Sequence, residues 1–215
     1  MIAFVQNNIF SIVTAIIAII AIWQTHIQIR ISNKQYLFEK RVEKYTLAYS
    51  LLKLYKENQS LLDYSASKDN EAIIVDFQFE NLTNSTYLKN VTAVIYDLKN
   101  KEEKTKFLVK LEEIEKSANE IKFLFKGYYA EILRDFVNNY KNVLLELYKY
   151  QIVQNLMSDK DITINNNKTY EELKKIYGEQ IHRKRLYHSI EELNNSYKKI
   201  ENQKVIETLE DEIRL

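Results

Sequence analysis

No charged side chain precedes Arg30, and inside that opening stretch Ile9 to Trp23 reads IFSIVTAIIAIIAIW, fifteen residues whose only polar members are one serine and one threonine. A helix that is apolar all round has no face to offer water, so this run needs cover from lipid or from a protein core. Fifteen residues fall short of the roughly 20 needed to cross a hydrocarbon layer of about 30 Å. Extending back through Ile2, Ala3, Phe4 and Val5 gives twenty-two, interrupted by Gln6, Asn7 and Asn8. Headgroups, tilt or local thinning accommodate those three amides. Trp23, the only tryptophan, stands at the end of the run beside Gln24, Thr25 and His26, the position of an interfacial aromatic. A cleaved secretory signal would show a basic residue ahead of the run and an A-x-A pattern behind it, and the sequence has neither. The remaining alternative is the buried helix of a soluble protein.

Charge asymmetry predicts the orientation. Positions 1 to 29 carry no charge, whereas Arg30, Lys34, Lys40, Arg41 and Lys44 crowd the other flank. The positive-inside tendency puts residues 30–215 in the cytoplasm and the N-terminus outside, with Trp23, Arg30 and Lys34 at the interface. Ser11 and Ala15, and again Thr14 and Ala18, are four apart. This spacing lets a second membrane helix approach closely and predicts a homo-oligomer.

Past the anchor, the chain contains no proline and only two glycines, Gly127 and Gly178, so almost nothing in it stops a helix. The expected fold is all-α: a transmembrane helix continuing into a cytoplasmic helical bundle around a central antiparallel hairpin. Its parts are an anchor and interface (1–29), a juxtamembrane helix (30–57) and a helical domain (58–215). In the juxtamembrane helix Ile31, Phe38, Val42, Tyr45, Tyr49 and Leu52 fall on one apolar face. Asn58 to Asn70 is polar and reads as turns. From Glu71 to Asn100 two short helices broken at Asn81 to Thr86 are expected, although Val75, Phe77 and Phe79 alternate as a strand would; a lone strand would leave its backbone groups unpaired.

The clearest periodicity belongs to the hairpin, 101–157. Phe107, Leu111, Ile114, Ala118, Ile121 and Phe125 alternate steps of four and three. Beyond a turn at Lys126 to Tyr128, Tyr129, Leu133, Phe136, Tyr140, Val143, Leu147 and Tyr150 repeat the pattern. Two such helices with so short a link must fold back on each other. Ser158 to Lys168 reads as a loop. Thr169 and Glu172 have capping-box spacing at the start of a helix over 169–213, with Leu186, Ile190, Leu193, Tyr197 and Ile200 inward and an interruption at Glu201 to Lys204. The acidic last fifteen residues read as a solvated end.

Chemistry leaves few marks. A chain without cysteine has no disulfide, thiol nucleophile or thiolate metal site, and fits a reducing cytoplasm. Isolated glycines exclude phosphate-cradling loops. No metal-ligand pattern is present: Asp159 and Asp161 lack the glycine and glutamate of a calcium loop. No cofactor or metal is expected. The exception is His182, Arg183, Lys184, Arg185, Leu186, Tyr187 and His188, where Arg183, Lys184 and Arg185 can meet nucleic-acid or lipid phosphates and Tyr187 can stack on an unpaired base.

Arg183 and His188 have an R-x4-H spacing that resembles the active motif of the all-helical HEPN ribonucleases, with Lys184 in place of the polar residue often found beside the arginine. The resemblance implies an arginine and a histidine acting on RNA, generally in a dimer-lined cleft. The wider layout of a single span, ISNKQYLFEKRVEKY (Ile31 to Tyr45), EIKFLFKG (Glu120 to Gly127) and LYKYQI (Leu147 to Ile152) resembles small membrane-anchored bacterial proteins of the abortive-infection and phage-defence type. It implies the bacterial inner membrane as the setting. Three functions are therefore expected, in this order: a non-enzymatic, membrane-tethered interaction or effector protein that binds a protein partner or its own copies; a membrane-anchored RNA-binding protein or ribonuclease; and a membrane-perturbing oligomer.

Overall fold

A computed structural model describes the backbone of residues 2–65, 74–158 and 169–214, with side chains for 10–63, 74–158 and 169–213. Every element among these residues is helical: α1 (Ile2–Ser65), α2 (Val75–Thr83), a 3-10 turn (Lys89–Ile95), α3 (Lys101–Leu124), α4 (Gly127–Ser158), α5 (Tyr170–Ile176), α6 (Glu179–Asn202) and α7 (Val205–Arg214). The chain divides into two compact units, Met1–Val42 and Glu43–Leu215, and α1 contributes to each.

In the first unit the described side chains of 10–39 are all exposed, including Phe10, Ile12, Ile17, Ile19, Ile22 and Trp23. The apolar face expected along 30–57 is corrected in this part of α1, since Ile31, Phe38 and Val42 are exposed at 59, 49 and 36%.

The second unit is a bundle built around α4. Asn100 starts α3 by accepting from the N–H groups of Glu102 and Glu103 at 3.0 and 3.3 Å, and those two acids suit the positive end of the helix. Both expected seams are inward: Phe107, Leu111, Ile114, Ala118, Ile121 and Phe125 on α3, and Leu133, Phe136, Tyr140, Val143, Leu147 and Tyr150 on α4 are buried, with Tyr129 packed at the edge. Ion pairs Lys122–Glu131 and Lys141–Glu115 and the ring pair Phe107–Tyr148 pair rising with falling numbers, which makes the hairpin antiparallel. Gly127, the first residue of α4, takes a φ of 77° that side chains rarely tolerate, and so lets the connection be this short.

On α1 the buried residues of this unit are Lys44, Ala48, Leu51, Leu52, Leu54, Tyr55 and Leu62, while Tyr49 faces solvent. Of the expected stripe, Leu52 is buried and Tyr45 packs at the edge of the core, but Tyr49 is not used, because the bundle takes a face shifted around the helix through Ala48, Leu51 and Tyr55. Lys44 enters that face as an ion, its Nζ 2.7 Å from Glu120, 2.9 Å from Glu43 and 3.3 Å from the Ser117 hydroxyl. The predicted turn at 58–70 is also corrected: α1 continues to Ser65, with Leu62 buried and Gln59 and Asp63 both bonded to Asn194, while 66–70 lies outside the described residues. The two short helical pieces within 71–100 are present as α2 and the 3-10 turn, held by Thr83 to Thr92 and by the buried Tyr140 hydroxyl donating to the Leu82 carbonyl at 2.6 Å.

The C-terminal segment is three helices rather than one interrupted once. The capping box at Thr169 and Glu172 forms as expected. The predicted loop over 159–168 lies outside the described residues, and Ser158 ends α4. Gly178, at φ 63°, breaks the chain between α5 and α6. Leu186, Ile190, Leu193, Tyr197 and Ile200 line α6 inward. The acidic end is a packed helix, not a frayed tail, because Val205 and Leu209 are fully buried and Glu210 accepts from Tyr45 at 2.5 Å. Lys204, at the α6–α7 break, holds a left-handed φ of 50°. Replacing it with glycine removes that strain and is expected to stabilise the protein by about 0.5–1 kcal/mol, read as a higher melting temperature of the detergent-solubilised chain; a lower one contradicts the strained assignment.

Candidate functional site

Two features carry functional potential, and they sit on different units. The first is the anchor. Phe10 to Trp23 is helical and apolar on every side, and none of the most apolar stretch of α1 is buried against protein. One helix among the described residues is thus long and apolar enough to cross a membrane. Two of its hydroxyls are satisfied within the helix: Thr14 donates to the Phe10 carbonyl and Thr25 to that of Ala21, each at 2.8 Å. Ser11, Ala15 and Ala18 lie exposed along the same helix, as do Arg30 and Lys34 beyond Trp23.

The second is the start of α6, where sequence patterning singled out a basic cluster. Arg183 does not extend into solvent. Its Nε and a terminal nitrogen both donate to Oε1 of Glu179, at 2.7 and 2.6 Å. Glu179 is 2% exposed, and the same oxygen accepts from the Tyr150 hydroxyl on α4 at 2.5 Å. One buried carboxylate therefore ties the first turn of α6 to α4. Burial, followed by the hydrogen bond to Glu179, pushes the Tyr150 hydroxyl up to about 12. Burial alone would lower the pKa of Arg183, but Glu179 and Tyr150 outweigh it and raise it. Arg183 is spoken for by structure, which limits what it can offer a phosphate.

His188 is exposed. On an α-helix five residues turn through about 500°, so Arg183 and His188 leave the helix about 140° apart and do not converge on one point. Lys184 and Arg185 are exposed and accessible to an anion, while Tyr187 is partly buried with its ring against the core. His182 turns a buried Nδ1 inward without a partner. Sequence patterning did not find Glu179 and Tyr150. The spacing of four from Glu179 to Arg183 signalled half of the triad; nothing in the sequence marks Tyr150 as its third member.

Among the described residues no group of three His, Cys, Asp or Glu side chains is placed to hold a metal ion. A groove of about 600 Å³ runs between α1 and the turn before the 3-10 segment, lined by Leu47, Leu54 and Tyr87 together with Glu43, Lys53 and Glu57.

The buried tyrosines and Lys44 of the bundle are all shifted upward. Burial raises Tyr55, Tyr140 and Tyr148, and burial with the Glu210 bond raises Tyr45. For Lys44 burial pulls downward, but Glu120 and Glu43 overcome it and raise the pKa. Groups whose folded pKa exceeds the unfolded value stabilise the fold below the unfolded pKa and lose that contribution as pH climbs toward the folded one. The bundle is therefore expected to lose stability progressively above about pH 10, followed as loss of helicity together with tyrosinate absorbance. Tyrosines that ionise near 10 with helicity unchanged would contradict the burial described.

Compared with protein-family models, with curated proteins and with solved structures, the chain matches none.

Proposed function

We propose that the protein is a non-enzymatic, membrane-tethered helical interaction protein, held by one span in a bacterial inner membrane with its N-terminus outside and the unit from Glu43 onward in the cytoplasm. Phage defence is the setting proposed for it, on the layout it shares with proteins of that type. The observation that carries the tether is the bare apolar helix: a core helix of a soluble protein would have its most apolar stretch covered, and here none of it is. A cleaved leader is disfavoured because α1 runs on from this stretch without a break to Ser65.

Arg30, Lys34, Lys40 and Arg41 support the inward orientation of the bundle. A binding rather than catalytic role is supported by the engagement of Arg183 with Glu179 and its divergence from His188. Orientation is tested in intact cells, using the absence of native cysteine. A membrane-impermeant maleimide should label Gln6→Cys directly and Glu112→Cys, on the exposed face of α3, only after permeabilisation. The reverse pattern overturns the orientation.

A further inference from the structure

The part of α1 between the apolar run and the bundle raises a physical problem that the tether alone leaves unsolved. From Arg30 onward the helix carries charge and belongs in water, yet Ile31, Phe38 and Val42 remain 59, 49 and 36% exposed. With Gln35 they step by four, three and four, the spacing of one coiled-coil seam. We propose that this segment, residues 30–42, pairs with the same segment of a second copy of the chain as a parallel, in-register two-helix coiled coil. This rests on the membrane-tethered reading above.

Three observations point to a second copy as the occupant. In a parallel pair, the residue just before one seam position faces the residue five further along on the other helix. Here that places Lys34, which precedes Gln35, opposite Glu39 of the second copy, and the symmetry makes the attraction twice. Lys40 falls on the far side of the helix, away from the seam. Gln35 lies in the seam and would meet its own counterpart; an amide carries both donor and acceptor, and one polar seam residue fixes register at some cost in stability. In the single chain Gln35 donates to Glu39 at 3.1 Å, so the two side chains already share one side of the helix.

The membrane completes the specification. Copies inserted with the same orientation can only run parallel, and slipping by one heptad would move one anchor about 10 Å along the membrane normal, a third of the hydrocarbon thickness. The seam is too short to associate strongly in free solution. Confinement to one bilayer raises the effective concentration of the second strand, as any tether does.

The test uses the full-length chain in native membranes, with single cysteines placed in the naturally cysteine-free sequence. On oxidation, cysteine at Ile31, Gln35 or Phe38 should give disulfide-linked dimer, and cysteine at Asn33 or Lys40 should give several-fold less. In a Phe38→Cys background, Lys34→Glu alone and Glu39→Lys alone should each weaken dimerisation about tenfold, because two attractive pairs become two repulsive ones. Combining them should restore it. Membrane-bound protein that crosslinks nowhere, or equally at all five positions, overturns the pairing and leaves the tether standing, as would charge reversals without effect. Protein absent from the membrane fraction overturns both.

Discussion

Replacing Phe136 with alanine is expected to cost about 3–5 kcal/mol of stability, a drop of about 10 °C in melting temperature for a bundle of this size. Phe136 is fully buried in the first half of α4, edge-on to Tyr55 of α1 at 6.0 Å and 6.1 Å from Tyr140. Tyr55 in turn lies 4.9 Å from Tyr197 of α6, so three helices meet around this ring. Removing it opens a cavity that none of them can close alone, because each is fixed by its own seam. The comparison is Val109→Ala on the exposed face of α3, where the change should stay within about 0.5 kcal/mol. Thermal unfolding of the detergent-solubilised chain, followed by helicity, reads both. A Phe136→Ala shift no larger than that of Val109→Ala contradicts the packing.

Replacing Glu179 with alanine should destabilise by about 2–4 kcal/mol. Two donors then lose their acceptor: the buried Tyr150 hydroxyl and the Arg183 guanidinium, whose side chain is only 22% exposed. The estimate is set below that of a fully buried ion pair because Arg183 can still reach water. The cost comes from orphaned groups rather than from the value of the pair, so removing all three polar partners together should repair much of it. Glu179→Met, Arg183→Met and Tyr150→Phe in one chain should melt above the Glu179→Ala variant. A combined variant that melts lower still would show that the carboxylate does more than satisfy its two donors.

Sequence patterning succeeded where one helix face repeats for long enough to outvote accident. The α3 and α4 seams each hold to steps of four and three through six or more residues, and nearly all of those side chains are buried. The α6 face from Leu186 to Ile200 was legible for the same reason, as was the cap at Thr169. Patterning was only partly right on α1, where Ile31, Phe38 and Val42 continue smoothly into Tyr45 and Leu52; those last two do meet the core, yet the bundle begins at Glu43 and takes up a face through Ala48, Leu51 and Tyr55. Periodicity cannot say where along a continuous helix the partner starts. Burial of Lys44 was equally invisible, since a lysine beside a membrane reads as a topology signal until Glu120 and Ser117 are brought to it from 73 or more residues away. Asn58 to Ser65 reads as a turn from its polarity, whereas Gln59 and Asp63 find their partner, Asn194, on α6, information absent from the local sequence. Gly178 breaks the chain at φ 63° although one glycine within a good helical pattern is usually tolerated.

At the candidate site, patterning located the basic cluster but not its chemistry. Four basic or aromatic residues in a row suggest an anion site, whereas Glu179 converts Arg183 from a ligand group into a strut. Lys184 and Arg185 are exposed on this side of α6.

Membranes from cells producing the full-length protein, washed in molar salt and then dissolved in detergent, test the tether most directly. Salt screens surface charge and strips proteins held by electrostatics alone, but leaves a buried apolar helix in place. The chain should stay in the pellet through the salt wash and leave it with detergent, and Ile16→Arg combined with Ile19→Arg should move it to the soluble fraction. Unaltered protein released by salt, or found in the soluble fraction from the start, would contradict the membrane span on which the proposed role depends.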